Sequence, residues 1–161
     1  MRKLFALCLL VSQLTFIAAA KEAAREPQPG VLGIRLGMKE EAARRRLRQI
    51  AEQMKEEKEA EGEGEQEIWT LRDKRRFDYL LVRFDNNETL WSLTAVVRPS
   101  ARMKYSELGD LKSAREQTDG RNYTYTWTVP ARGRTRPGYV VAARGSDPQY
   151  LTSFSISLVS E

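Results

Sequence analysis

The chain of 161 residues contains no histidine and a single cysteine, Cys8. These absences remove the residues most used as general bases, thiol nucleophiles and zinc ligands. No Gly-x-Ser-x-Gly or Ser-x-x-Lys motif supplies an activated serine. The sequence therefore predicts a protein that is not an enzyme, with no catalytic residue, no cofactor and no metal site.

Paired carboxylates are the catalytic chemistry that the composition still allows. Asp73, Asp78 and Asp85 lie around a predicted hairpin. Each of them stands beside a turn, where aspartate commonly accepts hydrogen bonds from nearby backbone N–H groups. An enzyme that uses carboxylates therefore ranks third among the hypotheses.

The chain also lacks an apolar run long enough to cross a bilayer. The run Leu4–Ile17 has about 14 residues, whereas a membrane-spanning helix needs about 20. It follows Arg2 and Lys3 and precedes three alanines, which is the pattern of a signal peptide cleaved after Ala20. We therefore expect residues 1–20 to be a signal peptide, the protein to be exported to the periplasm or secreted, and no transmembrane segment to remain.

Cleavage would leave a chain without cysteine, because Cys8 lies in the signal peptide. Secreted eukaryotic domains of this size often carry disulfides, so a bacterial envelope protein fits better. Asn-x-Thr triplets at Asn87 and Asn122 keep glycosylation in a eukaryotic route as an alternative. Cleavage removes two basic residues and no acidic one, which lowers the net charge from +5 to +3. That charge does not indicate nucleic-acid binding.

The polar, proline-containing residues 21–29 are expected to form a flexible leader before a single domain over residues 30–161.

Two helices are predicted from apolar periodicity. Apolar positions from Ala43 to Met54 follow a helical period, which predicts a helix from Met38 to about residues 58–60. A shorter helix is predicted over residues 106–117.

Alternating apolar residues predict six strands, and Asp85–Glu88 forms the turn of a hairpin between the second and the third. The six runs are 68–71, 78–84, 89–98, 123–129, 139–143 and 151–158. The predicted fold class is therefore α+β, with an antiparallel sheet of about six strands and two helices on one face. The predicted order is helix and three strands, then helix and three strands.

Two sets of residues are candidates for contact with a ligand or partner. Tyr123, Tyr125 and Trp127 alternate along one strand, where they could stack on sugar rings or bases, or belong to the core. Arg132, Arg134 and Arg136 form a basic loop.

Two further basic clusters are Arg44–Arg48 and Lys74–Arg76. The arginines of the first cluster could bind phosphates or anionic lipid, or form a solvated helix face with Glu41 and Glu52. If the three clusters converge, they could bind an anionic ligand such as a lipid headgroup or a polysaccharide.

The glycines around residues 30–37 do not form a phosphate loop. Met38 follows the last glycine and no serine or threonine follows Lys39, so the P-loop pattern fails. We interpret this stretch as an extended lead-in to the first helix.

The same stretch resembles the start of known families. Residues 33–38 (GIRLGM), followed by Glu40 and Glu41, resemble the glycine-led helix start of the outer-membrane-assembly SmpA/OmlA lipoproteins and of β-lactamase-inhibitor-protein-like domains. Residues 84–93 resemble the hairpin of those families. The resemblance implies a small exported α+β domain that binds another protein.

The leading hypothesis from the sequence is an exported, non-enzymatic protein that binds an envelope protein. The alternative is a binder of an anionic ligand through the basic clusters.

Overall fold

The computed structural model describes residues 25–58, 65–133 and 136–159. The predicted signal peptide and Arg134 lie outside these residues. The described ranges contain one α-helix, α1 (Glu40–Ile50), and three 3-10 turns, Pro99–Ala101, Tyr105–Glu107 and Leu111–Ser113. Their strands are β1 (Gly30–Val31), β2 (Ile34–Arg35), β3 (Ala51–Lys58), β4 (Glu65–Leu71), β5 (Phe77–Phe84), β6 (Leu90–Val97), β7 (Arg115–Thr118), β8 (Tyr123–Val129), β9 (Tyr139–Gly145) and β10 (Ser153–Leu158).

Eight of the strands form one sheet in the order β3-β4-β5-β6-β10-β9-β8-β7. Each neighbouring pair is antiparallel. The sheet therefore consists of two four-stranded meanders, joined where β6 pairs with β10. Strands β1 and β2 form a separate hairpin.

The predicted fold class was wrong, because the sheet has eight strands and the described residues contain one α-helix instead of two. The predicted hairpin is confirmed, since β5 pairs with β6 around the Asp85 turn. The Asp85 carboxylate accepts the N–H groups of Asn87 and Thr89, both at 2.9 Å. The two additional strands arise from segments that were predicted to be helical.

Helix α1 ends at Ile50, eight to ten residues before its predicted end. Ala51 is extended, with φ −143° and ψ 172°, and begins β3. Arg72, which directly follows β4, binds the last carbonyls of the helix. Its backbone N–H donates to the Ile50 carbonyl and its guanidinium to the Gln49 carbonyl. Met54, assigned to the apolar helix face, is 63% exposed. Pairing with β4 thus outweighs helical periodicity in this polar segment, which forms an edge strand.

The second predicted helix is replaced by two 3-10 turns and β7. At Asp110, residues that are distant in sequence bind the backbone of this segment. The Asp110 N–H donates to the Arg25 carbonyl at 3.1 Å. The Asp110 carbonyl accepts the Trp127 indole N–H at 2.9 Å. These bonds connect the segment to residues that are distant in sequence, so local bonds alone do not determine its backbone conformation.

One face of the sheet is covered by α1, the β1–β2 hairpin and the segment around the 3-10 turns. Buried side chains from these elements, including Leu47, Ile34 and Tyr105, share one core with the sheet. No helix among the described residues is long and apolar enough to cross a membrane.

A buried carboxylate joins α1 to the sheet. Glu67 on β4 is 0% exposed and accepts the Trp69 indole N–H at 2.7 Å. It also accepts a hydrogen bond from Arg44 Nε at 2.6 Å. Arg44 pairs in addition with Glu40 and lies over the ring of Phe84. The network therefore fixes the helix to the sheet through one arginine.

Candidate functional site

The predicted aromatic contact residues lie on the covered side of β8. Tyr125 is 9% and Trp127 2% exposed, and Tyr123 is half-buried against the same core. Tyr105 packs on Tyr125 with ring centroids 4.6 Å apart. Burial raises the pKa of the Tyr125 hydroxyl. These three aromatic side chains thus pack with the core, which is one of the two interpretations that their alternation allows.

The predicted basic loop binds the chain's own N-terminal segment. Arg132 and Arg136 donate to Glu26 at 2.7 and 2.6 Å, while Arg134 lies outside the described residues. The neighbouring Pro27 is buried, and its carbonyl accepts the Tyr139 hydroxyl at 2.5 Å. Residues 25–29, expected to be part of a flexible leader, therefore have specific partners in this structure.

The three aspartates of the enzyme hypothesis have local structural partners. Asp73 forms a bidentate pair with Arg75, whose hydrogen bonds lower the pKa of the Asp73 carboxyl. Asp78 lies 3.9 Å from Arg98, and Asp85 forms the hairpin turn. Within the ranges that the structure describes, no group of three or more acidic residues could hold a metal ion.

The second face of the sheet carries small side chains across its centre. One row across the sheet runs Ile68, Leu81, Thr94, Ser155, Ala142 and Thr126 in register. All six of these side chains are half-buried. We call this surface the open face. The small side chains at its centre contrast with the opposite, covered face, on which the large core residues lie.

Three arginines place positive charge on the open face. Arg83, Arg115 and Arg144 are in register with Ser92, Thr126 and Ser153 respectively, all of which point to this side. Arg144 and Arg115 are exposed, whereas Arg83 is half-buried and donates to Gln66 at 2.8 Å. The apolar end of the face is formed by Ile68, Leu81 and the 37%-exposed Tyr79.

Two adjoining cavities lie at the other side of the molecule, beside the β1–β2 hairpin. The first has a volume of about 350 Å³ and lies between the hairpin, the end of α1 and the β4–β5 turn. The second has a volume of about 240 Å³ and extends over β9 and β10. Leu32, Arg76 and Phe77 line both of them.

The basic clusters Arg44–Arg48 and Lys74–Arg76 meet at the first cavity. Arg46 from α1 and Arg75 and Arg76 from the β4–β5 turn all line it, together with one acidic residue, Asp73. The basic loop at Arg132 instead pairs with Glu26. Two of the three clusters therefore converge on one cavity.

Sequence reasoning missed this cavity because the β1–β2 hairpin was treated as a lead-in to the helix. Its two-residue loop is Leu32-Gly33, whereas the strongest sequence signal for such a loop is Asn-Gly or Asp-Gly. The glycine at position 33 was the available clue.

The chain matches no model of a known protein family, no curated protein and no solved structure.

Proposed function

We propose that the protein is an exported, non-enzymatic binding module of the bacterial cell envelope, and that its open face contacts a partner protein. The observation that supports this proposal is the division of the sheet into a covered face with large core side chains and an open face with small side chains at its centre. The resemblance of residues 33–38 to exported protein-binding domains points in the same direction.

The chemistry of the open face suits a partner with acidic groups and a broad surface. Small serine, threonine and alanine side chains allow close approach of another backbone or of aromatic side chains. The apolar end at Ile68, Leu81 and Tyr79 supplies area whose burial favours association. Arg115 and Arg144 supply positive charge that favours an acidic partner and accelerates its association.

A matched pair of charge reversals tests the proposal by affinity capture from envelope extract. Arg144→Glu changes an exposed arginine of the open face, and Arg45→Glu changes an exposed arginine of α1 on the opposite side. We expect wild type and Arg45→Glu to retain the same specific protein, and Arg144→Glu to retain at least about tenfold less of it. Equal retention by both variants, or no protein retained by wild type, would overturn the proposal.

A second candidate function is the binding of an anionic ligand, and the convergence of Arg46 with Arg75 and Arg76 at one cavity favours it. Saturable binding of inorganic phosphate or heparin at about 0.15 M salt, lost in Arg46→Met, supports this function, because weak surface attraction is largely screened there.

A further inference from the structure

Leu32, at the tip of the β1–β2 hairpin, has a backbone conformation that is unusual for leucine. Val31 pairs with Ile34, so the loop consists of Leu32 and Gly33 alone. Both residues have positive φ, 52° and 85°, as a type I′ turn requires. Asparagine, aspartate and glycine are favoured at the first position, whereas a leucine there is strained. The leucine thus occupies a position that turn formation alone would assign to another residue.

The Leu32 side chain lies between the two cavities. It is 44% exposed and lines both the 350 Å³ and the 240 Å³ cavity. Phe77 forms a shared wall, and the second cavity continues along Met103, Phe154 and Ile156. Together the two adjoining cavities offer a mostly apolar lining on both sides of Leu32, in the size range of small-molecule sites.

Positive charge is concentrated at the first cavity. Arg46 donates to the Leu32 carbonyl at 3.2 Å and to the Gln49 side-chain oxygen at 3.0 Å, and both of these partners are neutral. Arg75 pairs with Asp73 at 2.6 Å and Arg76 with Glu107 at 2.7 Å. Both arginines are more than half exposed, and exposed pairs of this kind are weak, so an incoming anion can compete for the arginines.

We propose that the cavities bind an anionic amphiphile with a single aliphatic chain. Its head contacts Arg46 and the arginines of the β4–β5 turn, and its chain passes beneath Leu32 along Phe77 into the second cavity. Mostly apolar cavities beside a cluster of arginines are complementary to an aliphatic chain with a negative head, and less so to one with a cationic or neutral head. The inference rests on the second candidate function and is independent of the open face.

Titration calorimetry with dodecanoate, below its micelle concentration and at 0.15 M salt, tests the proposal. Dodecyltrimethylammonium and dodecanol are the charge controls, and inorganic phosphate and heparin test the head without the chain. We expect dodecanoate to bind at one saturable site, with at least tenfold weaker binding in Arg46→Met and unchanged binding in the matched helix variant Arg45→Met. Leu32→Asn suits the turn, so it should fold at least as stably as wild type and still bind dodecanoate at least tenfold more weakly.

The other outcomes distinguish failure of the amphiphile proposal from failure of the anionic-ligand function on which it rests. Phosphate or heparin binding that depends on Arg46, without tighter binding of dodecanoate, would overturn the amphiphile and retain the anionic-ligand function. Absence of binding by dodecanoate, phosphate and heparin alike would overturn both. The amphiphile proposal would be overturned if dodecyltrimethylammonium or dodecanol bound as tightly as dodecanoate. It would also be overturned if Leu32→Asn bound dodecanoate as tightly as wild type.

Discussion

Glu67 shows what a single buried charge does in this protein. Its carboxylate connects the Trp69 indole to Arg44, and Arg44 carries the connection to α1. Glu67 lies at the end of the acidic segment 55–67, whose composition predicts that the first helix gives way to a mobile loop after about residues 58–60. The available clue was its position two residues before Trp69, which places both side chains on the same face of a strand.

Replacement of Glu67 by alanine should destabilise the fold strongly. The variant leaves the Trp69 N–H without its acceptor and removes one carboxylate from Arg44. We expect the free energy of unfolding to fall by about 3 kcal/mol, the lower end for a broken buried pair, because Arg44 keeps Glu40. Urea unfolding measures this loss. Asp73→Ala, which breaks an exposed pair, should cost far less. Equal losses in both variants would contradict the assigned role.

Tyr105 should make stability fall at high pH. Burial raises the pKa of its hydroxyl to about 12. Because the pKa is higher in the folded than in the unfolded state, the stabilisation is complete below about pH 10 and is lost as the pH rises towards 12. Between pH 9 and pH 11, wild type should lose about 1 kcal/mol more stability than Tyr105→Phe in urea unfolding. Parallel losses in the two proteins would show that Tyr105 does not carry this dependence.

At the scale of elements, the sequence predicts most strands and the beginning of the first helix, but it places the end of that helix wrongly and predicts a second helix that the described residues do not contain. Strands such as β5, β6 and β8 alternate clearly, because one side faces the core. Strand β3 has no such alternation, and its pairing with β4 could not be deduced from its own residues. The segment after Ser106 has apolar residues three apart, but its backbone is held by Arg25 and Trp127, which are distant in sequence.

Gly109→Ala distinguishes the 3-10 segment from the predicted helix. In a helix the alanine would stabilise by about 1 kcal/mol. Here an added Cβ would lie 2.9 Å from Pro27 Cγ and 3.0 Å from Trp127 Nε1. We therefore expect a loss of about 1–3 kcal/mol in the free energy of unfolding. Pro27→Ala removes the closer ring, so the double variant should lose less than the two single losses combined. A rise in melting temperature in Gly109→Ala would contradict the observed segment.

The segment before β1 should contribute to stability as a unit. A chain that begins at residue 30 lacks the Pro27 carbonyl that accepts the Tyr139 hydroxyl, and also lacks Glu26. Because the loss of one acceptor from a buried hydroxyl costs about 1–3 kcal/mol, we expect its free energy of unfolding to fall by at least about 2 kcal/mol. A chain that begins at residue 25 keeps these contacts and is the control. Equal thermal stability of the two chains would show that residues 25–29 are a leader without a structural role.

The whole molecule is organised by its two meanders, which meet at the β6–β10 pairing. Each meander follows a segment that covers the same face of the sheet: α1 precedes the first and the 3-10 turns precede the second. This arrangement leaves the small residues of the open face near the centre of the sheet. The candidate contact residues could not be deduced from the sequence alone, because alternation does not say which face of the sheet is covered. In the structure, Tyr105 and Leu47 pack on one face and so identify it as the covered one.

Site-specific photo-cross-linking in the native cells tests the open face most directly. A photoreactive residue placed at Thr94, at the centre of the open face, is compared with one at the exposed Arg45 on α1. The proposed function predicts one discrete protein adduct from position 94 that is absent from position 45 and is reduced by Arg144→Glu. An adduct from position 45 alone, or no discrete adduct from position 94, would contradict it.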